Sequence, residues 1–198
     1  MKAELPQVYL ARHGETEWSL SGRHTGTTDL PLTPNGEAQA RALGDRIKEV
    51  QFDRVWTSPR TRAIRTAELA GLANQVEVAA DLAEWNYGEY EGLTSDQIHA
   101  RDPNWLIYRD GCPGGESVEA VQARADRVVA RLRASSGTSI VFSHGHFTRL
   151  LAVRWLGLPI LDAQYLMVGT AALGTLGCDG DPGKPVIELW NDRQHTKK

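Results

Sequence analysis

The chain has 198 residues, of which 41% are hydrophobic and 24% charged, with a formal net charge of -3. That is the size and balance of one globular domain with its own core, not of a disordered chain. The slight acidity supplies no global positive field, which argues against nucleic-acid or anionic-membrane partners, so an anion bound here must be held by a local cluster.

The two cysteines, Cys112 and Cys178, are too far apart in sequence for a CxxC motif and too few for a disulfide framework. No apolar signal-peptide core follows Met1, and no apolar run is long enough to span a membrane. These features predict a cytoplasmic location.

In chain order, Val8 to Ala11 reads as a buried strand that runs into Arg12-His13-Gly14. A helix follows in "LTPNGEAQARALGDRIKEV", with Thr33 as N-cap, Pro34 at the first helical position and Leu43, Ile47 and Val50 on one face. Asp53 to Ser58 is a second strand. "SPRTRAIRTAELAG" is a second helix, with Ser58 as its cap, Pro59 as its first residue and Gly71 as its stop. Val76 to Val78 is a weaker strand. Val118, Val121, Ala125, Val128 and Leu132 mark an amphipathic helix. "SIVFSHG" is a buried strand leading into a helix that carries Phe147, Leu150, Leu151 and Trp155. Beyond Pro159, "YLMVGTAALGTLGC" and "PVIELW" read as antiparallel edge strands.

The alternation predicts a single domain over 1–198. Its fold class is α/β, a three-layer α/β/α sandwich with a mostly parallel sheet and an antiparallel edge. The irregular stretch of about 83–115 is expected to form a lid or side wall. The C-terminal edge strands leave a homodimer open.

In open α/β sheets ligands collect beyond the carboxyl ends of the strands. The first strand ends at Arg12-His13, the second at Ser58 with Arg60 and Arg62 close behind, and the later one at Ser143-His144-Gly145-His146. Arginine offers a fixed fork of donors to phosphate oxygens and stays charged at any working pH. A histidine held through one ring nitrogen attacks through the other. The helix after His144 aims backbone donors at the same place. These residue types therefore predict that Arg12 binds a phosphoryl group and His13 attacks its phosphorus.

"LARHGETEWS", "TSPRTRAIRTA", "LAEWNYGEYEGLT", "GGES" and "FSHGH" occur in this order over nearly the whole chain. Together they resemble the histidine phosphatase superfamily, also called phosphoglycerate mutase-like. The resemblance implies that His13 is the phosphorylated nucleophile and that Arg12, Arg62 and His144 complete the phosphate pocket. It makes Glu84 the group that protonates the leaving alcohol and then activates water, a role favoured by mildly acidic pH. Thr25 and Gly26 match the loop that covers the substrate, and Tyr87 a tyrosine that contacts it. The mutases of this family carry asparagine where this chain has Ser19 and phenylalanine or a similar residue where it has His24. Those departures bear on which group is bound, and a serine hydroxyl reaches less far than the amide. His146 is a further candidate for substrate contact.

A metal site on His144 and His146 lacks a third ligand at a supporting spacing, and an arginine-rich pocket repels cations, so neither a metal nor a cofactor is expected. The mutases resembled here have a long insertion between the acidic residue and the second histidine. Only about sixty residues separate Glu84 from His144, which favours an open pocket and hydrolysis. The expected activity is that of a phosphomonoesterase acting on small phosphate esters, most similar to the branch with broad-range acid phosphatases and sedoheptulose-bisphosphatase-like enzymes. The alternatives are a cofactor-dependent phosphoglycerate mutase and a catalytically silent sensor of phosphorylated ligands.

Overall fold

A computed structural model of the chain describes residues 6–180 and 183–196. The strands and helices follow in the order β1 (Gln7–Arg12), α1 (Glu17–Leu20), α2 (Pro34–Ile47), β2 (Arg54–Thr57), α3 (Thr61–Ala67), β3 (Val76–Val78), α4 (Ser95–His99), α5 (Ile107–Asp110), α6 (Val118–Ala134), β4 (Thr138–Ser143), α7 (Gly145–Trp155), β5 (Leu173–Asp179) and β6 (Lys184–Asp192), with short 3-10 turns between several of them.

The helix ends follow local chemistry. The Thr33 hydroxyl accepts from the Gly36 amide with Pro34 in the first helical position, and Ser117 caps α6 through the Ala120 amide. The second long helix departs from the expectation that Ser58 caps it and Pro59 opens it: α3 begins at Thr61, with Arg60 in the cap position. The Ser58 hydroxyl lies 3.2 Å from the Arg60 amide and 2.6 Å from His144 Nε2. It is therefore spent on the loop and on a distant ring instead of on a helix cap. The stop at Gly71 agrees with the sequence, its φ of 87° being open to glycine at little cost.

The sheet order is β3-β2-β4-β1-β5-β6. β1, β2, β3 and β4 run parallel, while β5 and β6 add an antiparallel edge. Alternation along the strands feeds two apolar layers. Val8, Leu10, Trp56 and Val141 join residues of α6 and α7, whereas Ala11, Val55, Ile140 and Phe142 join Leu43 and Ile47 of α2 and Ala67 of α3. Helices thus cover both faces, as the sequence pattern predicted.

Two stretches differ from their sequence reading. Residues 83–115 are less irregular than expected: Thr94 and Gln97 form a capping box that starts α4, and α5 follows. Trp85, Tyr87, Ile98, Trp105 and Tyr108 of this stretch belong to the larger apolar layer. The strand-like pattern from Tyr165 onward becomes a strand only at Leu173, because the polar backbone of 167–172 bonds to side chains and to the end of β1. Among the described residues no helix is long and apolar enough to cross a membrane.

Candidate active site

The parallel register of β1 and β2 on either side of β4 builds the site. Arg12 pairs with Ser143 and Thr57 with Phe142. His13, His144 and Ser58, each one residue further, therefore leave the sheet together at its carboxyl edge. The His13 amide donates to Ser143 O at 3.0 Å and the Ser58 amide to Phe142 O at 2.9 Å, which fixes the ends of β1 and β2 against β4. The rings of His13 and His144 meet edge to face, 5.2 Å between centroids.

The His13 ring is fixed in one tautomer. Nδ1 lies 2.7 Å from Gly14 O, and a carbonyl only accepts, so Nδ1 carries the proton and Nε2 keeps its lone pair. Burial, then the Arg62 and Arg12 charges, push the His13 pKa well below the usual histidine range. The ring is thus neutral, with Nε2 unprotonated. Gly14 is needed for a close backbone approach: a Cβ there would stand 2.4 Å from Gly36 O. Its amide donates to the Thr66 hydroxyl at 3.0 Å, which ties the loop to α3.

Arg12 reaches back from the strand end and donates from Nη1 to Val168 O at 2.7 Å. Its guanidinium lies against the first turn of α7, close to Gly145. Glu84 enters from the opposite wall. Its Oε1 accepts from the amides of Trp85 (3.0 Å) and Phe147 (2.9 Å), and Oε2 accepts from the His146 amide at 3.0 Å. The last two amides belong to the first turn of α7, so the carboxylate caps that helix. A carboxylate offers about four acceptor positions, and the one left over is on Oε2.

Arg62 and His144 are both 0% exposed. Arg62 donates from Nε to His144 Nδ1 at 3.2 Å, from Nη1 to Thr28 O at 2.9 Å and from Nη2 to Thr25 O at 2.9 Å. With Nδ1 accepting, His144 Nε2 carries the proton and donates to the Ser58 hydroxyl. Burial and the nearby Arg62, His13 and Arg12 hold His144 neutral, its pKa well below the usual value.

In front of Arg12, His13 and Glu84 opens a cavity of about 430 Å³, within the range of small-ligand sites. Arg62 and His144 do not line it. Arg12, His13, Ser19, His24, Thr25, Glu84, Tyr87 and His146 line it, which brings eight of the sequence candidates onto one surface. Gly26 sits beside it, its amide held by Glu91 at 2.9 Å. Tyr87 hydrogen-bonds His146 Nδ1 at 2.6 Å; burial raises the phenol's pKa well above its usual value and, followed by the Arg149 charge, lowers that of His146. Both are neutral. The Ser19 hydroxyl is engaged by the Thr16 backbone, accepting from its amide at 2.8 Å and donating to its carbonyl at 2.9 Å. Among the described residues no group of three or more His, Cys, Asp or Glu side chains is arranged to hold a metal.

A model of the histidine phosphatase superfamily (branch 1) matches residues 8–193. The chain is 46% identical over 175 residues to the acid phosphatase of Mycobacterium tuberculosis, a match that covers 86% of each chain. It is 38% identical over 192 residues to the sedoheptulose 1,7-bisphosphatase of Saccharomyces cerevisiae, covering 81% of this chain and 71% of the yeast protein. A solved structure of an open reading frame product from Mycobacterium tuberculosis superimposes with a TM-score of 0.85 at 42% identity, over 94% of this chain and 99% of that one. The chain belongs to the histidine phosphatase superfamily. It is a phosphoric monoester hydrolase.

Sequence reasoning missed two cations of this phosphatase's cavity, Arg23 and Arg149. Arg149 had a readable signal, since it lies three residues after His146 on the same helix and so on the same face. Its Nε is buried without a hydrogen-bond partner among the described residues. Arg65, one turn beyond Arg62 on α3, pairs with Glu37 and Glu68. The aromatics near the site are mostly structural: the indole N–H groups of Trp85 and Trp105 donate to Glu116 O and Gly111 O.

Proposed function

We propose that this phosphatase hydrolyses small phosphorylated metabolites, sugar phosphates or similar, through a phosphohistidine on His13 with Glu84 as general acid and base. The observation that carries this reading is the neutral His13 ring, with Nδ1–H anchored on Gly14 O and a free lone pair at Nε2. That lone pair attacks phosphorus as the P–O bond to the leaving group breaks, and the departing oxygen takes the proton of the Glu84 carboxyl. Glu84, now a carboxylate, removes a proton from water. The resulting hydroxide attacks the phosphohistidine, the P–N bond breaks, and His13 returns to its neutral form. Arg12 is assigned to the charge on the equatorial oxygens, with Arg62 and His144, fully buried next to His13, completing the phosphate pocket from behind.

Ser19, His24, Thr25, Gly26, Tyr87 and His146 are assigned to the rest of the substrate, with residues 83–115 as the side wall of a single domain. The cavity charge supports an anionic metabolite, because Arg12, Arg23 and Arg149 face only one carboxylate there, Glu84. Similarity to an acid phosphatase and to a sedoheptulose 1,7-bisphosphatase supports the same substrate class. Two free cysteines, one of them buried, support a cytoplasmic location. The outer edge of β6 supports a homodimer, which light scattering would detect.

The test is phosphate release between pH 5 and 8 from an aryl phosphate, sugar mono- and bisphosphates and 3-phosphoglycerate. Each is run with and without 2,3-bisphosphoglycerate and beside His13→Ala. Hydrolysis of the sugar phosphates that vanishes in the variant is expected. Isomerisation of phosphoglycerate in its place would make the protein a mutase, and silence on every substrate would make it a sensor.

A further inference from the structure

Arg12 and His13 are held from behind by a turn that none of the catalytic motifs contains. Its residues Gly169 to Ala172 are closed by a hydrogen bond from the Ala172 amide to Gly169 O at 3.2 Å. The turn caps the end of β1: the Ala171 amide donates to His13 O at 3.0 Å, and Ala172 O accepts from the Arg12 amide at 3.1 Å. One residue before the turn, Val168 O receives Arg12 Nη1. Both the backbone and the guanidinium of the phosphate-binding arginine therefore rest on residues 168–172. Ala171 adopts a φ of 52°, a left-handed conformation that L residues with a Cβ seldom take unless the surroundings impose it.

The surroundings that impose it come from the end of the chain. The Gly169 amide donates to Asn191 Oδ1 at 2.9 Å, Trp190 Nε1 donates to Met167 O at 2.8 Å, and His195 Nε2 lies 2.9 Å from Ala171 O. The Arg193 side chain lies against Gly169 where a Cβ would project. Asn191 is itself left-handed, with a φ of 53°, a conformation asparagine tolerates better than most residues. That backbone aims its side-chain oxygen at the turn.

We propose that Asn191 is a positioning residue for Arg12 and His13, acting through the Gly169–Ala172 turn, with His195 as its second support. Asn191 touches neither substrate nor the reacting atoms. It fixes the turn, the turn fixes Val168 O and the end of β1, and these set the angle at which the Arg12 fork meets a phosphoryl group. The proposal rests on the phosphate-binding role of Arg12 and His13 given above.

The experiment uses the full chain and inorganic phosphate as probe. Asn191→Gly keeps the left-handed backbone at no steric cost and removes the acceptor together with the rest of the side chain. Asn191→Asp keeps an acceptor oxygen at the same reach. Phosphate affinity is read by calorimetry, without turnover, beside kcat for an aryl phosphate and the Tm. Asn191→Gly is expected to weaken phosphate binding by about three- to ten-fold, the equivalent of one hydrogen bond, with kcat lowered alongside. Asn191→Asp should restore both to within about two-fold of the parent. A lower Tm with unchanged phosphate affinity would make Asn191 merely structural and overturn the proposal, as would an Asp variant as weak as the Gly variant. Should Asn191→Gly fail to fold, His195→Ala removes the parallel bond to Ala171 O, and unaltered affinity there overturns the proposal equally. A parent protein with no affinity for phosphate would instead overturn the reading of the pocket itself.

Discussion

His24 makes stability depend on pH in a way that one substitution isolates. Its ring is enclosed by Tyr87, Trp105 and His146, at centroid distances of 4.8, 5.7 and 5.6 Å. Burial pushes its pKa down to about 4, Glu91 opposing and His99 adding to the effect. In the unfolded chain the same ring titrates near 6.5. Between these two values the unfolded state binds a proton that the folded state refuses, so stability falls as pH falls through that window and is fully present above it. At pH 5 the loss from this one ring is about 2 kcal/mol. For a domain of this size each kcal/mol moves Tm by about 2–4 °C, which gives a fall of about 4–8 °C. His13, His144 and His146, also held below the usual range, act in the same direction. The measurement is Tm at pH 7.5 and pH 5 for the parent and for His24→Phe, which keeps a ring of similar shape without a titrating nitrogen. The parent should lose about 4–8 °C more than the variant between the two values. Equal losses would refute the argument, because the three other rings are common to both proteins.

Glu84→Gln should separate proton transfer from positioning: kcat on sugar phosphates, whose alkoxide needs a proton, falls by about 10²- to 10⁴-fold. On an aryl phosphate with a good leaving group the first step is nearly spared, so a burst of released phenol should precede slow turnover; equal loss of the burst on both would count against the acid role. Ser58→Ala removes the partner of His144 Nε2–H and should cost about 1–3 kcal/mol of stability by leaving a buried donor unpaired, read by urea unfolding. Gly14→Ala forces a Cβ against the Gly36 carbonyl, so a loss of at least about 1–3 kcal/mol and a parallel loss of activity are expected; a variant with the parent Tm would mean that the loop has room to move.

Much of this protein was legible before its fold. The caps at Thr33 and Gly71, the buried run of β4 and the α6 stripe are local signals, each set by neighbours within a turn or a strand. The RHG, SPRTR and SHGH motifs marked strand ends, and strand ends are where such a sheet gathers chemistry. Local signals also misled. Ser58 and Pro59 look like a helix start, and Tyr165 onward looks like a strand, because nothing nearby reveals that His144 claims the Ser58 hydroxyl or that Arg12 claims the Val168 carbonyl.

What the chain settled by itself is therefore its alternation, its caps and the residue types available for phosphoryl chemistry, since these depend on contacts a few residues apart. The tertiary structure alone decided that His13 and His144 stand side by side, through the Arg12–Ser143 register. It also turned Arg62 inward onto a ring 82 residues away and sent Arg12 to a carbonyl 156 residues away. Pairings at such separations follow from how the sheet and its helices close on one another, and no periodicity in the sequence encodes them.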